Sequence, residues 1–295
     1  AAYCGCDVTV WLRSEGSIGR TKPKLETLRQ TYLETIEAMA GPEGKTPQVW
    51  ACGIADEAAF APEACRRQVE RAAASIRPEL DLAKAAGGAE LVIESMAENA
   101  DDKIAFYKKL APVLPEKAIL ATNSSTLLPS KLAKYTGRPE NYLAMHFANS
   151  IWKNNTAEIM AQPKTSPEAF DAVMKFAAQI RMLALPVRKE KSGYLLNSML
   201  VPMLFSAMDL YANGVSDPQS IDLAWTRGTG APKGPFRILD TVGLTTAHNI
   251  VKQYLKVPPF LAPYNFRGMD AMLQKYLDEG KLGMSSSEGF YRYHE

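Results

Sequence analysis

A chain of 295 residues, 46% hydrophobic and 22% charged, has the makeup of an ordinary globular protein with room for one large or two ordinary domains. Its formal net charge of +2 is too small to point to nucleic acid or a charged membrane surface, and no apolar stretch approaches the roughly 18 residues a spanning helix needs. Cys4, Cys6, Cys52 and Cys65 show no zinc-like pairing and no secretory signal is visible, so the expectation is a soluble, reduced, cytoplasmic protein without nucleic-acid or membrane partners.

In chain order, Asp7 to Leu12 (DVTVWL) alternates with period two and predicts a strand, and Pro23 to Met39 carries apolar residues at helical spacing. Residues 41–61 are broken by Gly and Pro and read as an irregular insertion. Pro62 to Ser75 predicts a second helix. Four short apolar runs follow, Leu91–Ile93, Ala118–Ala121, Tyr142–Met145 and Leu183–Val187, of the kind buried on both faces of a parallel sheet. After Lys191 the strands stop, and helices are expected at Leu195–Gly214, Pro218–Arg227, Leu244–Leu255 and Arg267–Glu279. The charged run RKEK (188–191) marks a link, which divides the chain into residues 1–188, an α/β domain, and 189–295, an all-α domain, an order that suggests nucleotide binding without fixing function. There is no internal repeat and no low-complexity segment.

A doubly wound sheet places its chemistry at the carboxyl ends of its strands. The segments VIESMAEN (92–99), ATNSSTL (121–127), AMHFANS (144–150) and GYLLNSMLVP (193–202) each end an apolar run in Ser, Asn, Glu or His. His146 stands at the mouth of a strand and Glu158 follows twelve residues later. Two readings are open: a core or loop histidine with a satisfied hydrogen bond, or a general base oriented by Glu158, which a turn at Asn149–Asn155 would bring back beside the strand's start. Ser125 and Asn123 could equally cap a helix beginning near Pro129, Asn197 could bond to backbone at a helix start, and Glu98 could be a first-turn acid. His248, within a helix, and His294, at the terminus, look ordinary.

Together these segments resemble the L-3-hydroxyacyl-CoA dehydrogenase family, including bacterial 3-hydroxybutyryl-CoA dehydrogenases. The residues that carry the resemblance are Glu94 with Glu98-Asn99, Thr122-Asn-Ser-Ser125, His146-Phe-Ala-Asn149 and Glu158, then Gly193-Tyr-Leu-Leu-Asn197, Lys233-Gly-Pro-Phe236 and Glu288-Gly-Phe-Tyr291. Their order and spacing match across essentially the whole chain. The resemblance implies an α/β Rossmann-type doubly wound sheet followed by an all-α domain, and hydride exchange between a nicotinamide coenzyme and an acyl-CoA substrate. It assigns His146 as base, Glu158 as its orienting partner, and Ser125 and Asn197 as groups that hold the substrate oxygen. It also implies cofactor contacts from Glu98, Lys103, Asn123 and Ser125, substrate contacts from Ser125, Asn149 and Asn197, and a homodimer through the helical domain. No metal is implied.

Three features depart from the family pattern. The chain opens AAYCGCDVTV, which matches the end of the family's first helix and its second strand, so the first strand and its glycine-rich phosphate loop are expected to be missing from this sequence. A shortened chain accounts for this more simply than one unable to hold a dinucleotide tightly, because every other site element is present. Where the family has an acid at the end of the second strand, this chain has Leu12, Arg13 and Ser14. Arg and Ser there suit a 2′-phosphate, so NADP becomes a candidate beside NAD. Finally, Ser285 and Ser286 stand where relatives carry basic residues, and SIWKNN (150–155) replaces a proline-containing turn. A non-catalytic acyl-CoA-binding relative and a dehydrogenase of free hydroxy acids are the competing readings.

Overall fold

The computed structural model describes residues 1–293, so His294 lies outside the described residues. The chain forms two compact units, Ala1–Leu195 and Leu196–Glu295, a division later in the chain than the expected boundary near residue 188.

The first unit runs β1 (Thr9–Trp11), α1 (Glu15–Ala40), α2 (Pro62–Ser75), β2 (Arg77–Glu79), α3 (Leu82–Ala86), β3 (Leu91–Glu94), α4 (Ala100–Leu110), β4 (Ile119–Thr122), α5 (Pro129–Leu132), β5 (Tyr142–Phe147), β6 (Thr156–Met160), α6 (Pro167–Gln179) and β7 (Leu183–Val187). β1 and β2 pair in parallel as a separate two-stranded sheet, and the other strands form a five-stranded sheet in the order β3-β4-β5-β6-β7. All its pairings are parallel except β5 with β6. The architecture is the expected parallel-rich sheet with flanking helices, interrupted by one antiparallel hairpin.

Successive side chains of a strand point to opposite faces, and here both faces are covered. Leu120 and Tyr142 join one cluster with Phe106, Tyr107 and Leu110 of α4. Ala121, Leu143 and Met145 join another with Val173 and Ala177 of α6. The irregular stretch before α2 packs rather than hangs free: Ala51, Ile54 and Ala55 bury against Tyr3, Ile36, Met39 and Cys65.

Two expectations need correction. Helix α1 starts at Glu15, not Pro23, and carries Pro23 in its interior despite the missing N–H. Ser125 and Asn123 do not cap the helix at Pro129, whose N-cap is Leu128 without a side-chain bond. Strand β6 was not expected as a strand, since a five-residue segment with glutamate at its centre is a poor β signal.

The second unit is all-helical: α7 (Leu196–Ala212), α8 (Pro218–Thr229), α9 (Pro235–Val242), α10 (Leu244–Tyr254) and α11 (Phe266–Asp278). Its core gathers Leu204, Met208, Phe236, Leu239, Val251, Phe266, Met269 and Phe290. His248 is buried on α10, its Nε2 at 2.7 Å from Asp270 on α11, an interhelical tie. No helix among the described residues is long and apolar enough to cross a membrane, and none of their His, Cys, Asp and Glu side chains group as metal ligands.

Buried carboxylates explain the motifs of both units, because a desolvated acid must collect donors. Asp222 accepts from the N–H groups of Phe236 and Arg237 and from Tyr291 Oη, fastening the start of α9. Asp240 accepts from the N–H groups of Phe290 and Tyr291 and from Tyr293 Oη, although burial outweighs these bonds and raises its pKa. Neighbouring backbone comes so close that a Cβ at Gly234 would sit 2.2 Å from Asp222 Cγ, and one at Gly289 would sit 2.1 Å from Asp240 Oδ1. The glycines of KGPF and EGFY are therefore packing requirements.

In the first unit Glu94 takes Lys103 Nζ at 2.7 Å and Met96 N–H on one oxygen, and Tyr107 and Thr122 hydroxyls on the other. Asn99 caps α4 by accepting from Asp101 and Asp102 N–H. Glu98 folds back instead of lying along the helix, its Oε1 accepting from Ser124 Oγ at 2.5 Å, Thr126 N–H at 2.7 Å and Leu127 N–H at 3.2 Å. Burial pushes the Glu98 carboxyl up, but these bonds outweigh it and hold its pKa below 4.5. A carboxyl lowered by folding contributes stability that is present above its unfolded pKa and lost as pH falls through the folded one. Hydrogen exchange of Thr126 and Leu127 amides should therefore accelerate as pH drops below about 4.5, after correction for intrinsic rates, and Glu98→Gln should abolish that dependence. A pH-independent protection in the wild type would show that Glu98 does not hold the loop.

Candidate active site

The antiparallel hairpin sets the centre of the site. In its register His146 of β5 stands directly opposite Glu158 of β6, so the two side chains share one face. His146 Nδ1 lies 2.9 Å from Glu158 Oε2, and both residues are buried, at 8% and 3% exposure. The second carboxylate oxygen, Oε1, accepts the N–H of Leu195 at 2.8 Å. A carboxylate on Nδ1 favours the tautomer with its proton there, which leaves Nε2 with a lone pair. The Tyr194 ring stacks on the imidazole with centroids 4.6 Å apart and planes at 22°.

The hairpin's loop is tied down at several points. Ser150 adopts a left-handed backbone, and Lys153 and Asn154 donate to its carbonyl. Asn154 Nδ2 donates to Asn149 O and Asn155 Nδ2 to Arg181 O. The stretch before α2 holds the loop from outside: Gly53 N–H donates to Trp152 O at 2.9 Å, Lys153 Nζ donates to Gln48 O, and Trp152 packs on Tyr32. The sequence carried no signal for this tie, because backbone bonds between irregular segments leave no periodicity.

The remaining expected residues are distributed as follows. Asn123 follows β4, and its Oδ1 accepts the Phe147 N–H at 3.0 Å, which joins the ends of β4 and β5. Ser125 is half-buried, and its hydroxyl has no hydrogen-bond partner among the described residues. Asn149 is exposed at the start of the loop. Glu98 reaches the same Ser124–Leu127 turn. Lys103, expected as a cofactor contact, is instead wholly buried and paired with Glu94, since a cation desolvated beneath the sheet needs an acid beside it. Asn197 stands on the first turn of α7, in the second unit.

The end of β1 presents a separate polar group. Arg13 is exposed, and Ser14 is the N-cap of α1 but makes no capping bond with its side chain. Ser14 Oγ lies 3.1 Å from Ser17 Oγ, which in turn accepts from Arg20 at 2.9 Å. Two hydroxyls and the Arg20 guanidinium thus gather at a helix N-terminus that Arg13 directly precedes, where the backbone dipole also favours an anion.

Comparison with known proteins identifies the family. Residues 53–191 match the model of the 3-hydroxyacyl-CoA dehydrogenase NAD binding domain, and residues 193–293 match that of the 3-hydroxyacyl-CoA dehydrogenase C-terminal domain. The chain is 31% identical over 225 residues to the mitochondrial hydroxyacyl-coenzyme A dehydrogenase of Homo sapiens, covering 76% of this chain and 70% of that one. It is 33% identical over 207 residues to a probable 3-hydroxybutyryl-CoA dehydrogenase of Bacillus subtilis (strain 168), covering 70% of each. Among solved structures, that of a diketoreductase, described for substrate-directed dual catalysis of dicarbonyl compounds, superposes with a TM-score of 0.83 at 42% identity, over 99% of this chain and 92% of that one. On two family models that together span most of its length, this chain belongs to the 3-hydroxyacyl-CoA dehydrogenase family of NAD-binding oxidoreductases.

Proposed function

We propose that this protein interconverts a short-chain 3-hydroxyacyl-CoA and its 3-keto counterpart, with His146 as general acid–base. The observation that carries the reading is the buried 2.9 Å contact between His146 Nδ1 and Glu158. Oxidising a secondary alcohol releases a hydride and a proton. A bound nicotinamide coenzyme supplies the hydride acceptor. His146 Nε2 takes the hydroxyl proton, and Glu158 steadies the imidazolium that forms. Ser125, whose hydroxyl has no partner among the described residues, would hold the substrate oxygen, while Asn149 would line the acyl side. A non-catalytic acyl-CoA binder would have no use for a base and its orienting acid.

The likeness to a diketoreductase favours a second substrate class, small dicarbonyl compounds, on the same machinery. Steady-state rates with 3-hydroxybutyryl-CoA, free 3-hydroxybutyrate and a simple diketone discriminate the two, the thioester being preferred under the first reading. His146→Gln should reduce turnover on the preferred substrate by about 10²–10⁴-fold, the usual worth of a general base, with cofactor affinity little changed. Glu158→Gln should lower turnover and move the acid limb of the pH–rate curve to lower pH, because the imidazolium loses its charged partner. Near-wild-type turnover in His146→Gln removes the base from its role.

The same reading assigns NADP as the preferred coenzyme, supported by exposed Arg13 beside Ser14, Ser17 and Arg20. Each charge-assisted contact to a 2′-phosphate contributes roughly 1.5–3 kcal/mol, which corresponds to a ten- to hundredfold preference. Kinetics with both coenzymes should show that preference collapse in Arg13→Asp; equal NADP use by both proteins would show that Arg13 does not read the phosphate.

A symmetric dimer through the helical unit completes the proposal. Helix α7 exposes Met199 at 67% and Leu210 at 41%, apolar surface that a helix serving one core does not need. Light scattering at micromolar concentration should give twice the chain mass of 32.4 kDa, and a monomer would refute the dimer.

A further inference from the structure

Tyr194 does more than fill the place of an aromatic in the Gly193–Asn197 motif. It sits in the turn after the charged link, donating its N–H to Lys191 O, with Gly193 at φ 83° and Tyr194 itself at φ 52°. A residue with a Cβ rarely holds that left-handed conformation unless its surroundings demand it. The surroundings here are the site. The ring is 1% exposed and stacks on His146, and its hydroxyl donates to Ser124 O at 2.6 Å. The next residue, Leu195, gives its N–H to the Glu158 oxygen that His146 does not use. Two consecutive residues therefore touch the imidazole face, the acid behind it and the turn that carries Ser125.

We propose that Tyr194 is a positioning residue of the reaction, its ring favouring the protonated state of His146 and its hydroxyl fixing the Ser124–Ser125 turn against the base. The inference rests on the reading of His146 as the base. An aromatic face carries negative charge density, so it attracts an imidazolium more than a neutral imidazole. Stacking thus favours the state His146 reaches as it accepts the proton. Burial pushes the Tyr194 phenol well above its ordinary range, so the hydroxyl stays protonated and remains a donor to Ser124 O. That bond couples the ring to the residue before Ser125, and the distance between base and substrate-holding hydroxyl follows from one rigid side chain.

The two arms separate by substitution in the whole protein. Tyr194→Phe keeps the ring and removes the hydroxyl; turnover should fall roughly two- to tenfold, the range of one hydrogen bond, with the pH–rate curve and coenzyme KM unchanged. Tyr194→Leu removes the ring as well; turnover should fall further, and the acid limb should move down by roughly half a pH unit, as expected for loss of a cation–π contact. Tyr194→Asn, which tolerates a left-handed backbone, is the second variant for the ring arm if the leucine variant does not fold. In a His146→Gln background, the extra loss of Tyr194→Leu over Tyr194→Phe should almost vanish, because the ring acts through the base. Inactive His146→Gln together with wild-type turnover and pH profile in both Tyr194→Phe and Tyr194→Leu would overturn this inference alone. Full activity in His146→Gln would instead overturn the base assignment on which it stands.

Discussion

The hairpin of the first unit is organised around a single buried carboxylate. Glu158 has two oxygens and no access to water, and each oxygen has a donor: His146 on one, the N–H of Leu195 on the other. A buried acid at the centre of a strand needs such donors, because desolvation without them costs several kcal/mol (about 3–5). Its first partner is opposite in the sheet register and its second arrives from beyond β7, so a correct sheet and a correct final turn are both needed before the histidine is oriented. The antiparallel pairing of β5 with β6 in an otherwise parallel sheet is what permits the direct cross-strand contact.

The same rule recurs wherever the chain carries a motif. Glu94 gathers a lysine, two hydroxyls and an N–H beneath the sheet; Glu98 gathers the turn that bears Ser125; Asp222 and Asp240 gather the backbone that closes the helical unit. Most of these acids serve structure, and they are distinguished from Glu158 by what they face. Their donors are backbone and fixed side chains, whereas Glu158 alone among them meets an imidazole. A motif match therefore identifies a family, while the donor set of each acid separates scaffold from chemistry.

Arg13 and Lys103 illustrate how position changes the meaning of a cation. Arg13 is exposed at the end of a strand, just before a helix N-terminus and two hydroxyls, and makes no ion pair among the described residues. Lys103 lies one turn into α4, but the helix turns it under the sheet to Glu94, where it stabilises a buried acid. Burial decides which role each cation takes.

The sequence by itself determined the order of elements, the α/β-then-α division and the segments that hold the site, because short doubly buried strands and helical periodicity are written locally. Helix α2 and strand β7 fall on their expected bounds, Pro62–Ser75 and Leu183–Val187. It also offered His146 and Glu158 as a pair, one of two readings of that histidine, and the family resemblance chose between them. Tertiary structure decided what depends on partners distant in the chain. Strand β6 exists because its central glutamate is satisfied by His146 and Leu195; the irregular stretch around Gly53 is ordered because it packs on Tyr32 and Trp152; and Tyr194 holds a left-handed turn because its ring and hydroxyl have fixed places to go. None of these leaves a periodic trace, because each rests on a single long-range bond or stack rather than on a repeated local preference.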